Sequence, residues 1–237
     1  MYRIDYGFLL HEIRVAACYL PFTFVLVSGP LVIGLVIGSF LAVARIQRVP
    51  VLHQIVRLYV VIIRGMPTVL MLLIIYFVFV YSFDSLAEFF GWTLRTGQIH
   101  PLVFAILVLS FLSIAFVSES IRAALLSVPP GQIEAALSVG MTTFTVYRRV
   151  RIPQALPVAI PILGNTFISQ TKGTALVAMI GVTDIVTKVK IEATATYRYL
   201  EAYIAVALIY WVLCVGIEQA VRLLNNQVRA HLKVAGV

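Results

Sequence analysis

The sequence has 237 residues, of which 61% are hydrophobic and 12% are charged, and its formal net charge is +8. Soluble domains are about 45–50% apolar, so this composition excludes a soluble fold for the chain as a whole. No stretch outside the apolar segments reaches the roughly 50 residues of an independent domain. We therefore expect one all-α integral membrane domain over residues 1–237. Its basic residues lie in short clusters between apolar segments rather than on a nucleic-acid-binding face.

Five apolar segments have the length of about 20 residues that a membrane-spanning helix needs. They cover approximately residues 17–44, 56–83, 101–126, 154–181 and 201–224. An odd number of spans places the two termini on opposite sides of the membrane. Basic residues close to span ends stay in the cytoplasm. The cluster from Arg148 to Arg151 therefore predicts a cytoplasmic connection between the third and fourth spans, an external N-terminus and a cytoplasmic C-terminus.

The connection between the third and fourth spans, residues 129–157, contains the signals of two short helices. A Pro-Pro-Gly run ends the third span, and helix-forming residues follow it. Gly140 tolerates a left-handed backbone and is expected to end the first short helix. The second carries Arg148, and Pro153 is expected to end it. The sequence thus predicts a compact cytoplasmic projection that offers acidic and apolar groups to a docking partner.

This connection resembles the signature loop of ABC importer permeases. The resemblance rests on the Glu-Ala-Ala sequence at 134–136, on Gly140 four residues later, and on Ile152 and Leu156-Pro157. In that family the first short helix is a coupling helix that sits in a groove of the ATPase subunit. The resemblance implies a coupling role for Glu134, Ala135, Ala136, Gly140 and Arg148. An amphipathic helix at the membrane interface is the structural alternative.

Other segments resemble the branch of this family that imports polar amino acids. Tyr59 and the Arg-Gly-Met-Pro sequence at 64–67 are similar to the start of that branch's second span. Residues 118–122 are similar to its third span, and residues 163–182 are similar to its fourth. The match covers roughly residues 15–225. It implies a multi-pass protein of the bacterial cytoplasmic (inner) membrane.

The resemblance also implies partners. The sequence has no GxxxxGK[ST] phosphate loop, so the chain itself is not expected to be an enzyme, and ATP and Mg²⁺ are expected on a separate ABC ATPase subunit. A second permease copy or a paralogue would complete the path, and an extracytoplasmic solute-binding protein would deliver the solute. The spans are expected to contact the lipid bilayer. We expect this chain to bind no nucleic acid, no metal and no cofactor.

The fourth predicted span carries polar residues that suit a solute path. Lys172 lies deep within it, where an isolated charge costs at least about 2.5–3.5 kcal/mol, so it should face protein or water. We expect Lys172 to receive the carboxylate of an amino-acid-like solute. The predicted solute path consists of Lys172, Thr174, Asn165, Gln170 and Gly173. A structural lysine paired with Glu119 or with helix carbonyls is the alternative.

Two residues depart from the pattern of the polar amino acid branch. Met66 stands where that branch usually has threonine, and Gly173 stands where many members have an acidic residue after the lysine. Without the acidic side chain, the path suits a neutral or anionic solute, such as cystine or a dicarboxylic amino acid, better than arginine or lysine.

A second polar group lies near the predicted cytoplasmic boundary. Glu119 and Arg122 are three residues apart, a spacing that permits an intrahelical ion pair. Long arginine side chains reach from an apolar segment toward the interface. We expect structural or gating roles for Arg64, Gly65, Pro67, Glu119 and Arg122.

These features predict the membrane subunit of an ATP-driven importer that works by alternating access. A secondary amino acid transporter driven by an ion gradient is the alternative, because it would also need polar groups within its spans. A membrane-embedded enzyme is disfavoured, since the four histidines are scattered over loops and ends, and no paired intramembrane carboxylates accompany them.

Overall fold

The computed structural model describes residues 4–234, and all regular structure within that range is helical. Ten α-helices occur there. They are α1 (Tyr6–Cys18), α2 (Leu20–Ile46), α3 (Leu52–Gly65), α4 (Thr68–Phe89), α5 (Pro101–Leu126), α6 (Pro130–Ser138), α7 (Thr143–Val146), α8 (Ile152–Gly173), α9 (Ile185–Thr196) and α10 (Tyr199–Val234). Two short 3-10 segments, Thr96–Gln98 and Thr174–Ile180, and one π-helical turn, Tyr147–Arg151, join some of them.

Five helical runs in the described range are long and apolar enough to cross a membrane. They are Tyr6–Ile46, Thr68–Phe89, Pro101–Leu126, Thr143–Ile180 and Tyr199–Leu232. This confirms the prediction of an all-α membrane protein with five spans. The third span begins and ends at the predicted residues.

The second predicted span, residues 56–83, is two helices in the structure. Helix α3 ends at Gly65, and Met66 has an extended backbone with φ −111° and ψ 154°. Residues before proline avoid the helical region because of a clash with the proline ring, and Pro67 then precedes α4. Only α4 has the length and composition of a span. This break was not predicted from the sequence, because both helices are rich in hydrophobic residues and together read as one apolar segment.

Pro153 does not end the second short helix. Helix α7 continues through the π-helical turn Tyr147–Arg151 directly into α8, where Pro153 is the second residue. Proline is tolerated in the first turn of a helix, and the wider π turn adjusts the hydrogen bonds that precede it. The fourth span is thereby a direct continuation of the loop helices.

Helices α2 and α5 form the centre of the bundle. Gly38 lies against the α5 backbone so closely that a Cβ atom there would be 3.0 Å from the Ser118 nitrogen. Glycine therefore permits the close approach of the two helices. The main apolar cluster extends from this pair to α3, α4 and the 3-10 segment after α8, with Leu26 and Leu72 fully buried.

Two helices that were not predicted, α1 and α9, pack with α10 around a second apolar cluster. Its buried members include Ala16, Ile185, Val189 and Val206. Helix α1 runs almost without interruption into α2, with a break only at Tyr19. Both helices carry charged residues, Glu12 and Arg14 in α1 and Lys188 and Lys190 in α9, so hydropathy alone did not predict them as spans.

Candidate functional site

A cavity of about 380 Å³ lies between α2, α3, α4, α5 and α8. One part of its wall is apolar and includes Leu26, Leu72 and Phe116. The remaining wall is polar. Its polar residues are Arg64, Thr68, Ser120, Asn165, Thr166, Ser169 and Gln170. A cavity that combines an apolar body with a few convergent polar groups is the usual form of a small-molecule site.

Helix α8 supplies most of the polar wall because its polar residues recur at helical spacing. Asn165, Ser169 and Gly173 follow one another at intervals of four residues, and all three line the cavity. Gly173 is also the last residue of α8, where the chain passes into the 3-10 segment Thr174–Ile180. No heavy atom lies within 4 Å of the position that a Cβ atom would occupy at Gly173, so the absent side chain leaves open space.

The side-chain amide of Gln170 has a hydrogen-bond partner for its nitrogen but none for its oxygen among the described residues. Its Nε2 donates a hydrogen bond to Ser113 Oγ at 3.0 Å. Its Oε1 is buried and accepts no hydrogen bond from the described residues. A buried amide oxygen without a donor is destabilising. A donor group of a molecule in the cavity, such as the ammonium of an amino acid, would satisfy it.

The structure does not place all five predicted path residues together. Asn165, Gln170 and Gly173 line the cavity. Thr174 is 1% exposed, donates to the Thr171 carbonyl at 2.8 Å, and lies 3.2 Å from the Tyr210 hydroxyl of α10. Thr174 therefore joins α8 to α10 on the side away from the cavity.

Lys172 is exposed at the edge of the same helix face. It forms no ion pair with Glu119, whose partners in the described part of the chain are all arginines. Asn165 and Ser169 are also exposed, and with Lys172 they form a polar edge of α8. We call these three residues the polar edge. Exposed polar groups on a membrane helix face water or another polypeptide rather than lipid.

Glu119 joins three helices through its carboxylate. Its Oε2 accepts from Arg45 of α2 at 2.7 Å, and its Oε1 lies 2.5 Å from Arg122 Nη2 and 3.8 Å from Arg64 Nη1. The predicted contact between Glu119 and Arg122 is therefore present. Arg64 was expected to share a structural or gating role with Glu119, but the contacts of Arg45 and Arg64 with Glu119 were not predicted, because both arginines lie far from it in the sequence. The one acidic side chain holds three arginines together, which leaves an excess of positive charge.

Arg64 connects this ion-pair group to the cavity. Among the described residues that line the cavity it is the only charged one, and its side chain is 45% exposed. Gly65 and Pro67 belong to the break between α3 and α4, which places Arg64 at the C-terminus of α3 and Thr68 at the start of α4. The carbonyl end of a helix favours a cation. The break therefore directs both side chains into the cavity wall.

The loop between the third and fourth spans begins with the expected short helix, which ends in the expected turn at Gly140. Helix α6 contains Glu134, Ala135 and Ala136. Gly140 has φ +84°, its nitrogen donates to the Leu137 carbonyl at 3.0 Å, and the Met141 nitrogen donates to the Ala136 carbonyl at 3.2 Å. This pair of hydrogen bonds is the Schellman motif, which requires a left-handed residue. The prediction that Gly140 ends the first short helix is confirmed.

The outer face of this loop is exposed. Ala136 is buried, whereas Glu134, Ala135 and Arg148 are exposed. Two large apolar side chains beside them, Val139 and Phe144, are 74% and 73% exposed. We call the exposed set Glu134, Ala135, Val139, Phe144 and Arg148 the loop surface. An apolar patch with charged residues at its margin is typical of a protein interaction surface.

Arg151 connects the loop to the helix bundle through hydrogen bonds. Its Nε donates to the Leu125 carbonyl of α5 at 2.9 Å, and its Nη1 donates to the Tyr147 hydroxyl at 3.1 Å. The guanidinium also lies over the Tyr147 ring, 5.1 Å from its centre. These contacts join the loop to the end of α5 and to the start of α8.

Comparison with known proteins identifies the family. Residues 34–230 match the family described as "Binding-protein-dependent transport system inner membrane component". The probable amino-acid permease protein YxeN of Bacillus subtilis (strain 168) is 38% identical over 215 residues, which are 91% of this chain and 92% of YxeN. The L-cystine transport system permease protein TcyL of the same organism is 33% identical and covers 90% of this chain and 87% of its own length.

A solved structure agrees with these relatives. The crystal structure of an amino acid ABC transporter with histidines has 31% sequence identity and a TM-score of 0.79, over 95% of this chain and all of that chain. These proteins are transporter subunits rather than enzymes. The chain therefore belongs to the family of binding-protein-dependent inner membrane transport components, as a permease subunit of the amino-acid ABC transporter type.

Proposed function

We propose that this permease subunit imports a polar amino acid that is neutral or anionic, such as cystine or a dicarboxylic amino acid, with the central cavity as the solute site. The charge of the cavity wall carries this proposal. Arg64 is the one charged lining residue, and it suits a carboxylate. The free Oε1 of Gln170 suits the α-ammonium.

The cavity lacks the group that a cationic side chain would need. None of its lining residues is acidic, so a guanidinium or a second ammonium would lie beside Arg64 without a counter-charge. Relatives of similar identity are named for cystine, nopaline or arginine transport, so identity alone does not select the solute. Lys172, on the polar edge, extends the positive charge along the path and supports an anionic group at the solute's other end.

The partners are proposed from the exposed surfaces. The loop surface would bind a separate ABC ATPase, on which ATP and Mg²⁺ act, and the polar edge would face a second permease copy or a paralogue across the path. An extracytoplasmic binding protein would deliver the solute at the opposite end. We propose an orientation with the Arg148–Arg151 cluster and the C-terminus in the cytoplasm and the N-terminus outside, because basic residues near span ends favour the cytoplasmic side.

Uptake in reconstituted vesicles tests the solute assignment. The chain is reconstituted with its ATPase and binding protein, and labelled cystine, glutamate, glutamine and arginine are compared. We expect ATP-dependent uptake of cystine, glutamate or glutamine, and we expect Arg64→Gln to reduce it at least tenfold. Arg229→Gln is the matched control, because Arg229 is exposed near the end of α10. Preference for arginine would overturn the proposed specificity.

The same vesicles test the mechanism. Uptake should stop when ATP is omitted and should persist when an ionophore dissipates ion gradients. Uptake that ignores ATP but collapses with the ionophore would favour the ion-driven secondary transporter instead.

A further inference from the structure

A buried carboxylate stands without a partner in α1. Glu12 is 0% exposed, and neither of its carboxylate oxygens has a hydrogen-bond partner in the described part of the chain. An ionised carboxylate in such a place is strongly destabilising unless a positive charge or hydrogen-bond donors compensate it. The cavity and the loop surface do not involve this residue.

Two further metal-binding side chains converge on Glu12. A nitrogen of the His11 ring and one oxygen each from Glu12 and Glu192 all lie within 4.8 Å of one another. His11 Nε2 is 3.0 Å from Glu192 Oε2. Lys188 lies 3.1 Å from the other oxygen, Oε1. Lys188 therefore neutralises one side of Glu192, and Oε2 remains directed toward His11.

We propose that His11, Glu12 and Glu192 bind a divalent transition-metal cation, with Zn²⁺ the best fit. One imidazole nitrogen and two carboxylate oxygens form a donor set that Zn²⁺ accepts, at about 2.0–2.2 Å from each atom. Atoms that share such an ion lie about 3–4 Å apart, so the cluster needs only small side-chain adjustments. The ion would bind the Glu12 carboxylate directly, whereas no described residue forms a hydrogen bond with it.

The three residues lie outside the five predicted spans, since His11 and Glu12 precede residue 17 and Glu192 lies between residues 181 and 201. The His11 side chain is 60% exposed and the Glu192 side chain is 26% exposed, so a water molecule can complete the coordination. Glu12 forms the buried floor. This arrangement, with three protein ligands and one open position, is common at zinc sites.

A metal here would join α1 to α9. The N-terminal end of α1 is already held to the start of α10, since the Asp5 nitrogen donates to Glu201 Oε1 at 3.0 Å and the Asp5 carboxylate lies 2.5 Å from Arg198. The cluster lies about two helical turns farther along α1. The bound ion would add a second attachment and would stabilise the packed position of α1.

Metal titration of the purified full chain tests the proposal. The protein carries a tag without histidines, is stripped with a chelator in detergent, and is titrated with Zn²⁺ while bound metal and thermal unfolding are measured. We expect one ion per chain and a rise in Tm of roughly 5–11 °C at a hundredfold excess over Kd. Absence of stoichiometric binding, or of a Tm change, would overturn the site.

Two variants and a control assign the ligands. His11→Ala should weaken Zn²⁺ binding at least tenfold without loss of the fold, because His11 is largely exposed. Glu12→Gln should also remove binding, while it raises the Tm of the metal-free chain by removing the buried charge. His231→Ala, at an exposed histidine of α10, should bind Zn²⁺ like the unmodified chain. Equal binding by the His11 and His231 variants would refute the assignment.

Discussion

Replacement of Glu119 by glutamine should destabilise the bundle far more than loss of an ordinary surface ion pair. The change keeps the shape of the side chain and removes the only acidic partner that Arg45, Arg64 and Arg122 have within residues 4–234. Three guanidinium groups would then repel one another where α2, α3 and α5 meet. Arg45 would be affected most, since its side chain is only 14% exposed.

The structure indicates the size of this effect. Removal of one partner from a buried ion pair costs about 3–5 kcal/mol. The Glu119 side chain is 18% exposed, so solvent screening places the expected loss near the lower limit, about 3 kcal/mol. For a chain of this size, 1 kcal/mol corresponds to roughly 2–4 °C in Tm. The expected decrease in Tm is therefore roughly 6–12 °C.

Thermal unfolding in detergent measures this decrease, and Glu218→Gln is the matched control. Glu218 forms a single exposed pair with Arg222 at 3.2 Å, and both side chains are more than half exposed. Such pairs contribute about 0–1 kcal/mol, so the control should change Tm by less than about 4 °C. Equal Tm values for the two variants would refute the conclusion that Glu119 holds the three helices together.

Three other predictions concern packing, coupling and pH. Gly38→Ala should lower the free energy of unfolding by about 1–3 kcal/mol, because the added Cβ atom would press against the α5 backbone. Gly29→Ala is the control: its Cβ atom would have no neighbour within 4 Å, so it should not lower the Tm. Glu134→Lys should abolish co-purification of the ATPase without a change in Tm, and retained co-purification would contradict the proposed role of the loop surface. Hydrogen bonds from the backbone of α1, followed by the charge of Arg198, lower the pKa of Asp5 despite some desolvation. Its contribution to α1 packing should be constant above about pH 4 and lost as the pH falls through the lowered pKa. Protection factors of the α1 amides, which are exchange rates corrected for the intrinsic pH dependence of exchange, should therefore be smaller at pH 3 than at pH 6, and equal protection factors would contradict this.

Part of the fold was predictable because local signals determine it. The third span coincides with α5, since an uninterrupted apolar run lies between Pro101 and the prolines that follow Leu126. Gly140 ends α6 as expected, because its left-handed conformation belongs to the local turn. The break at Met66 was also present in the sequence as a residue before proline, but the apolar residues on both sides favoured one long span.

The ion-pair group was only partly predictable. Glu119 and Arg122 lie in one helix, where a separation of three residues is sufficient for contact. Arg45 is 74 residues from Glu119, and nothing in the local sequence pairs them. The close packing of α2 on α5 brings them together.

The sequence by itself determined the number of spans, the turn that forms the loop, and the family resemblance, because these depend on hydropathy and on residues near one another in the chain. Only the tertiary structure decided which polar residues of the fourth span share the cavity. Gln170 faces it, whereas Thr174, four residues later, contacts Tyr210 instead. The chain changes from α-helix to 3-10 helix after Gly173, so the rotation per residue increases from about 100° to about 120°. Over the single step from Gly173 to Thr174 this adds only about 20°. Packing against the neighbouring helices, here the contact of Thr174 with Tyr210 of α10, therefore determines which side chain meets which surface.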